Sequence, residues 1–309
     1  MNKTMIFPEF GLFLLIIFFG CKLQVTPETA LEAYLNNNDN SFTWELKESH
    51  DVNGLKLYNL LVTSQKWREY TWRHQVAVIV PEEIKYDGAL LFITGGSNKD
   101  EMPNWKKPDD GNIRMMGLIA QKNSAVTAVV FQVPNQPLFG DLTEDEIISL
   151  TLHNYRNDKD LTWPLLFPMV KSAVRAMDAV QAFSQEKLTH KINRFLVSGA
   201  SKRGWTTWLT GASDQRVEAI APMVIDMLNM PKSISYHVEA WGDYSIQIQD
   251  YVNLGIAQDV NTPDGQEITT MVDPFSYREK LTMPKFIFNG TNDEYWPADA
   301  IKHYIGEIP

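Results

Sequence analysis

Between residues 42 and 67 apolar and polar side chains alternate on both sides of Asn53-Gly54, the pattern of two half-buried strands joined by a tight turn. A further strand is expected over 72–81, stopped by Pro81. From residue 89 onward the apolar blocks become continuous: "ALLFITGG" (89–96), "AVTAVVFQVP" (125–134), "INRFLVSGA" (192–200), "VEAIAPMVID" (217–226) and "PKFIFNGTND" (284–293). Unbroken apolar runs of this length suit strands buried on both faces, as in a parallel sheet. Helical spacing fills the intervals at 113–123, 142–156, 164–187 and 203–212, and "DAIKHYIGEI" begins one more helix. In 164–187 the residues Leu166, Met169, Val170, Ala173, Met177, Val180 and Phe183 recur on one face, which marks them as core.

Strand and helix alternating in this way predict an α/β fold, a mostly parallel sheet with helices on both faces and an antiparallel hairpin added at its N-terminal side. Residues 229–280 are too long for a simple connection and read as a cap-like insertion able to cover a site at the strand ends. The expected organisation is a signal at 1–20, a linker at 21–41 holding a short helix at 27–35, and one domain over 42–309.

Composition narrows the function. With 44% hydrophobic and 21% charged residues the 309-residue chain is an ordinary folding sequence, and its net charge of −10 argues against general nucleic-acid binding. The single cysteine, Cys21, excludes an intramolecular disulfide and a cysteine-based zinc site. No H-E-x-x-H, paired histidines or dense Asp cluster suggests a metal, and no cofactor is expected. Cys21 follows Lys3, an apolar run at 10–19 and Gly20, an arrangement similar to a bacterial lipoprotein signal. A lipidated Cys21 is the first reading, with a plain cleaved signal or an uncleaved anchor as the others. Each makes the folded part exported and limits membrane contact to the N-terminus.

The chemistry centres on "FLVSGASKRGWTTWLTGASD" (195–214), a strand, a turn carrying Ser201, and a helix. A serine on a sharp strand-to-helix turn projects its hydroxyl above the sheet, and the next backbone N–H, that of Lys202, points at the same reacting oxygen. The alternative is a serine that merely caps the helix. Gly199 stands two before Ser201, whereas the place two after it, usually glycine, holds Arg203, with Gly204 one later. The "FITGGSN" loop offers a second oxyanion donor at Gly95 or Gly96. The Arg203 guanidinium is expected to supplement the oxyanion donors or hold a substrate carboxylate, or else to be a surface helix arginine. An acid should follow a later strand, and Asp293 is preferred, with Glu294 and Asp226 behind it.

"SGASKRGWTTWLTGASDQRVEAIAPMVIDMLNM", "FNGTNDEYWPAD" and "FITGGSN" resemble the PhoPQ-activated pathogenicity-related protein family, an α/β-hydrolase group, over most of the chain after about residue 27. The resemblance implies an α/β-hydrolase fold with Ser201 as nucleophile and Asp293 as triad acid. The Gly-x-Ser-x-Arg-Gly pattern is also similar to that of glucuronoyl esterases, in which the arginine assists the oxyanion.

The triad order requires a histidine after the acid. Only His303 follows Asp293, in a segment expected to be a flanking helix; His50, His74, His153, His190 and His237 precede it, and of these His237 alone lies in the insertion. The chain therefore reads as incomplete at its C-terminus, lacking the base and a last strand. A triad without one member retains roughly 10³–10⁴-fold catalysis over water. Two functions follow: an exported serine hydrolase acting on a small-molecule, peptide or carbohydrate ester or amide, or a hydrolase-fold binding or signalling protein without turnover. Trp205, Trp208, Trp241 and Trp296 would either line a cleft or fill the core. Lys202 and Arg203 favour an anionic substrate group.

Overall fold

Asn53 and Gly54 both adopt positive φ, 51° and 78°, which is what a tight hairpin turn demands and what Asn-Gly supplies. Around them β1 (Thr43–Val52) and β2 (Leu55–Trp67) pair antiparallel, and β3 (Tyr70–Pro81) continues the meander. The computed structural model describes residues 24–309; the signal and Cys21 expected at the N-terminus lie outside them.

The remaining elements follow in chain order. β4 (Gly88–Ile93) is succeeded by a two-residue hairpin, β5 (Asn98–Lys99) and β6 (Met102–Pro103), then by α2 (Gly111–Asn123) and β7 (Val126–Val130), with the short helix α1 (Ala30–Leu35) preceding β1. Next come α3 (Glu144–Asp158), α4 (Leu166–Phe183), β8 (Arg194–Ala200), α5 (Lys202–Ser213) and β9 (Val217–Met223). The sheet order is β1-β2-β3-β7-β4-β8-β9, antiparallel as far as the β3–β7 pair and parallel from β7 to β9.

The two faces are covered differently. Ile113, Met116 and Ala120 of α2 pack on Leu57, Ile79, Phe92 and Val129 on one side. On the other side α4 and α5 meet the larger core, and the α4 residues marked by periodicity are all fully buried. The stretch expected as a linker carries α1, whose Ala30, Leu31 and Tyr34 are buried in that core, with the Tyr34 hydroxyl donating to Gln65 at 2.9 Å.

The last two expected elements take looser forms. Residues 284–288 run parallel beside β9 through bridges Ile220–Lys285 and Met223–Phe288, with Phe286 N–H donating to Ile220 and Phe288 N–H to Pro222. Phe286 remains 66% exposed, so the register is held by backbone bonds more than by burial. Instead of a regular helix, 299–308 forms two 3₁₀ turns, Ala300–His303 and Ile305–Glu307.

The 229–280 region is helical, with α6 (Met230–Trp241), α7 (Gln249–Asn253) and α8 (Pro263–Val272) joined by 3₁₀ turns. Polar bonds dock it on α3: Arg156 to Asp259 at 2.6 Å and the Tyr155 hydroxyl to Glu267 at 3.0 Å. The Trp205 indole N–H of α5 donates to the Val272 carbonyl at 2.6 Å, tying the insertion to the helix behind Ser201. No helix among the described residues is long and apolar enough to cross a membrane.

Candidate active site

Ser201 has φ 58° and ψ −128°, a region an L-residue enters only under constraint. The constraint is visible on both sides of it. Its N–H donates to the Met223 carbonyl at 2.9 Å, and its carbonyl accepts from Trp205 N–H at 3.0 Å to open α5. As N-cap of α5 its side chain makes no capping bond. The hydroxyl is left for other work, which distinguishes Ser201 from an ordinary cap.

Glycines allow the turn to be this tight. A Cβ on Gly199 would stand 2.8 Å from the Arg203 carbonyl oxygen, and one on Gly204 would stand 2.8 Å from the Met223 oxygen and 2.7 Å from Ile225. The close approach to the neighbouring strand is thus made by Gly204, three places after the serine, so the position two after is free to carry a side chain.

That side chain is held by its own partners. Of the three expectations for Arg203, oxyanion aid, carboxylate clamp or surface arginine, the side chain is not at the surface; its Nε donates to the Val133 carbonyl at 2.6 Å, and Nη1 and Nη2 donate to the two oxygens of Glu144, each at 2.7 Å. Lys202 behaves alike: its buried Nζ lies 2.8 Å from Glu144 and 3.1 Å from Asp145. The Arg203 guanidinium lies against Gly95, where a Cβ would meet Nη2 at 2.6 Å. Gly96, at φ +146°, faces Gln132. The Gly95 carbonyl accepts from Gln132 N–H at 3.1 Å, which fixes the loop beyond β4.

Glu144 is the residue that sequence reading missed. Besides Arg203 and Lys202 it accepts from Gln136 Nε2 at 2.7 Å, while its own N–H donates to Gln136 Oε1 at 2.8 Å. Although burial opposes the charge, the guanidinium and ammonium beside it draw its pKa down to about 2. The signal was present, since a Lys-Arg pair at the start of a buried helix requires a counter-charge.

Ser201 and Lys202 line a narrow cavity of about 50 Å³ together with Trp205, Ile225, Tyr295 and Trp296. The insertion closes it with residues of α6 and α7 and the turns between them. Of the tryptophans, Trp208 is fully buried core, Trp205 and Trp296 are buried cavity walls, and Trp241 is 45% exposed.

Asp293 sits in the loop after 284–288 and accepts from Tyr295 N–H at 2.8 Å; the same loop supplies Tyr295 and Trp296 to the cavity wall, of which Asp293 is not a part. Its charge helps burial raise the pKa of Asp226, which accepts from the Tyr304 hydroxyl. Glu294 is engaged by Gln247 Nε2 at 2.8 Å.

No described histidine is hydrogen-bonded to Ser201 or Asp293. His74 is buried between Ser64 and the Phe131 carbonyl, and His153 bonds Arg156. His190 faces the Tyr86 carbonyl, and His50 faces Glu48. His237 is wholly buried against Trp241 and Trp296, ring centroids 5.2 and 5.0 Å away, and His303 stacks edge-on to Tyr236.

Known proteins share this architecture. The structure is similar to acetyl xylan esterase 1 from Thermoanaerobacterium sp. (TM-score 0.60, 16% identity, 92% of this chain and 85% of that one). It is similar also to a glucuronoyl esterase from Solibacter usitatus (TM-score 0.52, 14% identity, 89% and 76%). At such identities the likeness establishes the hydrolase fold. In sequence the chain is 32% identical over 291 residues to autocrine proliferation repressor protein A of Dictyostelium discoideum, covering 91% of this chain but only 58% of that relative's length. Residues 31–309 match one family throughout, and the chain belongs to the PhoPQ-activated pathogenicity-related protein family.

Proposed function

We propose that the protein is a serine hydrolase of esters or amides with Ser201 as nucleophile and Asp293 as the acid. The observation that carries this reading is the strained backbone of Ser201, whose side chain caps nothing and opens on a cavity. Attack of its oxygen on an acyl carbon would develop an oxyanion facing the Lys202 N–H at the start of α5, where the helix dipole favours negative charge. The Gly95-Gly96 loop supports a second donor. A base must take the serine proton, and in the proposed order it is a histidine following Asp293. Export with Cys21 as the anchor belongs to the same reading and rests on the N-terminal sequence alone.

A second reading, binding without turnover, is favoured by one observation: no described histidine hydrogen-bonds Ser201 or Asp293. Treating the chain with a fluorophosphonate probe separates the two. The hydrolase reading expects covalent labelling that Ser201→Ala abolishes, and slow release of p-nitrophenol from short esters. Absence of labelling from folded protein would leave the binding reading alone standing.

A further inference from the structure

The site's wall chemistry suggests what it takes. Beside Ser201 the cavity is enclosed by Ile225, Met230, Ile234, Ile248, Ile256 and Trp296, four of them supplied by the insertion. The two charged groups that also reach it are turned on each other. Asp145 accepts from the Tyr251 hydroxyl at 2.9 Å and from Lys202 Nζ at 3.1 Å, so neither ion is free to hold a charged ligand. A sugar would leave its hydroxyls unpaired against such walls, and an anionic tail would lose its hydration without gaining a free cation.

Resting on the hydrolase reading above, we infer that the cavity is the acyl pocket and that the substrate carries a short unbranched apolar acyl group. The cavity is narrow, about 50 Å³, which restricts the group to a short chain. Specificity is then a property of the insertion, whose α6 and α7 region closes the far end, while the sheet supplies the nucleophile.

Straight-chain alkanamides from acetamide to octanamide probe the pocket without requiring any reaction at Ser201. Calorimetry on the full chain should show affinity rising about fourfold per methylene over the first members of the series and then falling. Ile248→Trp should move the optimum to shorter amides and Ile234→Ala to longer ones, opposite shifts that loss of folding cannot produce. An affinity independent of chain length, no binding at all, or walls whose substitution leaves the optimum in place would overturn the acyl-pocket assignment. Fluorophosphonate labelling would still report the hydrolase reading separately.

Discussion

The Arg203 guanidinium and the Glu144 carboxylate meet through two parallel hydrogen bonds of 2.7 Å, with the guanidinium pressed against Gly95. One side chain therefore ties the first turn of α5, the N-terminus of α3 and the loop after β4 into a single unit around Ser201. Bidentate pairing of this kind fixes orientation as well as charge. On the proposed reading Arg203 is a positioning residue, holding in fixed relation the two backbone segments proposed to face the oxyanion.

A double-mutant cycle tests that coupling. Glu144→Gln leaves Lys202 and Arg203 buried beside a neutral amide and should cost about 3 kcal/mol of stability. Arg203→Gln alone should be similarly damaging. Together they should cost less than the sum by about 2 kcal/mol, measured by urea unfolding. Strict additivity would mean the two side chains are neighbours without being partners. On this picture Arg203→Lys fails to restore what Arg203→Gln removes, because a single ammonium cannot span both oxygens.

The glycines around the elbow give a sharper test. Alanine at Gly199 or Gly204 would place Cβ within 2.8 Å of a backbone oxygen, and neither the start of α5 nor β9 can yield by a rotamer change. Each substitution should cost about 3 kcal/mol. Gly111, at the first position of α2, has nothing within 4 Å of its would-be Cβ. There alanine should gain about 0.5 kcal/mol from helix propensity and reduced unfolded-state entropy. Thermal melts of the three variants should rank Gly111→Ala above the parent and the other two well below it.

How much of this was written in the chain differs from element to element. The buried strands β4, β7, β8 and β9 announce themselves because continuous apolar runs have no other economical home in an α/β protein. Asn53-Gly54 specifies its turn because few other pairs tolerate two positive φ angles. Ser201 could be located from Gly199 and the strand-helix change, since both are local. Glu144 could not, being 57 residues away from Lys202's neighbour Ser201 in the chain; "TEDE" at 143–146 shows only a helix start, and its capping box is indeed formed. The direction of the Arg203 side chain was hidden for the same reason, because it depends on a partner that tertiary packing supplies. Residues 299–308 carry helical spacing, yet Asn229 Nδ2 binds the His303 carbonyl and Tyr304 binds Asp226, and these contacts settle the segment into 3₁₀ turns.

Strain at Ser201, the proposed nucleophile, should be measurable as a trade between stability and reactivity. Ser201 occupies φ 58°, ψ −128°, where only glycine is at ease. Ser201→Gly should therefore exceed Ser201→Ala in stability by about 1 kcal/mol, because alanine keeps the Cβ that crowds the turn. Both variants lose the hydroxyl, so neither should label with a fluorophosphonate. Equal melting temperatures for the two would show that the turn carries no strain at that residue.

Two buried histidines set the acid limb of stability. His74 donates from Nδ1 to the Phe131 carbonyl at 3.0 Å, and its Nε2 lies 2.9 Å from the Ser64 hydroxyl, which a neutral ring accepts. His237 accepts Ser245 N–H at Nδ1 and is otherwise enclosed by aromatic rings. Burial lowers the pKa of each to about 4, whereas the unfolded chain protonates histidine near 6.5. Between about pH 6.5 and 4 the unfolded state thus binds more protons, and stability falls as pH falls, by about 1.4 kcal/mol per pH unit for each ring. Buried Asp273, raised to about 7, works in the opposite sense and loses its contribution as pH rises toward 7. The histidine share is isolated by difference. Urea unfolding of the parent and of His74→Gln, both followed from pH 6.5 to 4.5, should give a slope shallower in the variant by about one proton. Parallel slopes would show that His74 takes up its proton without unfolding the site around it.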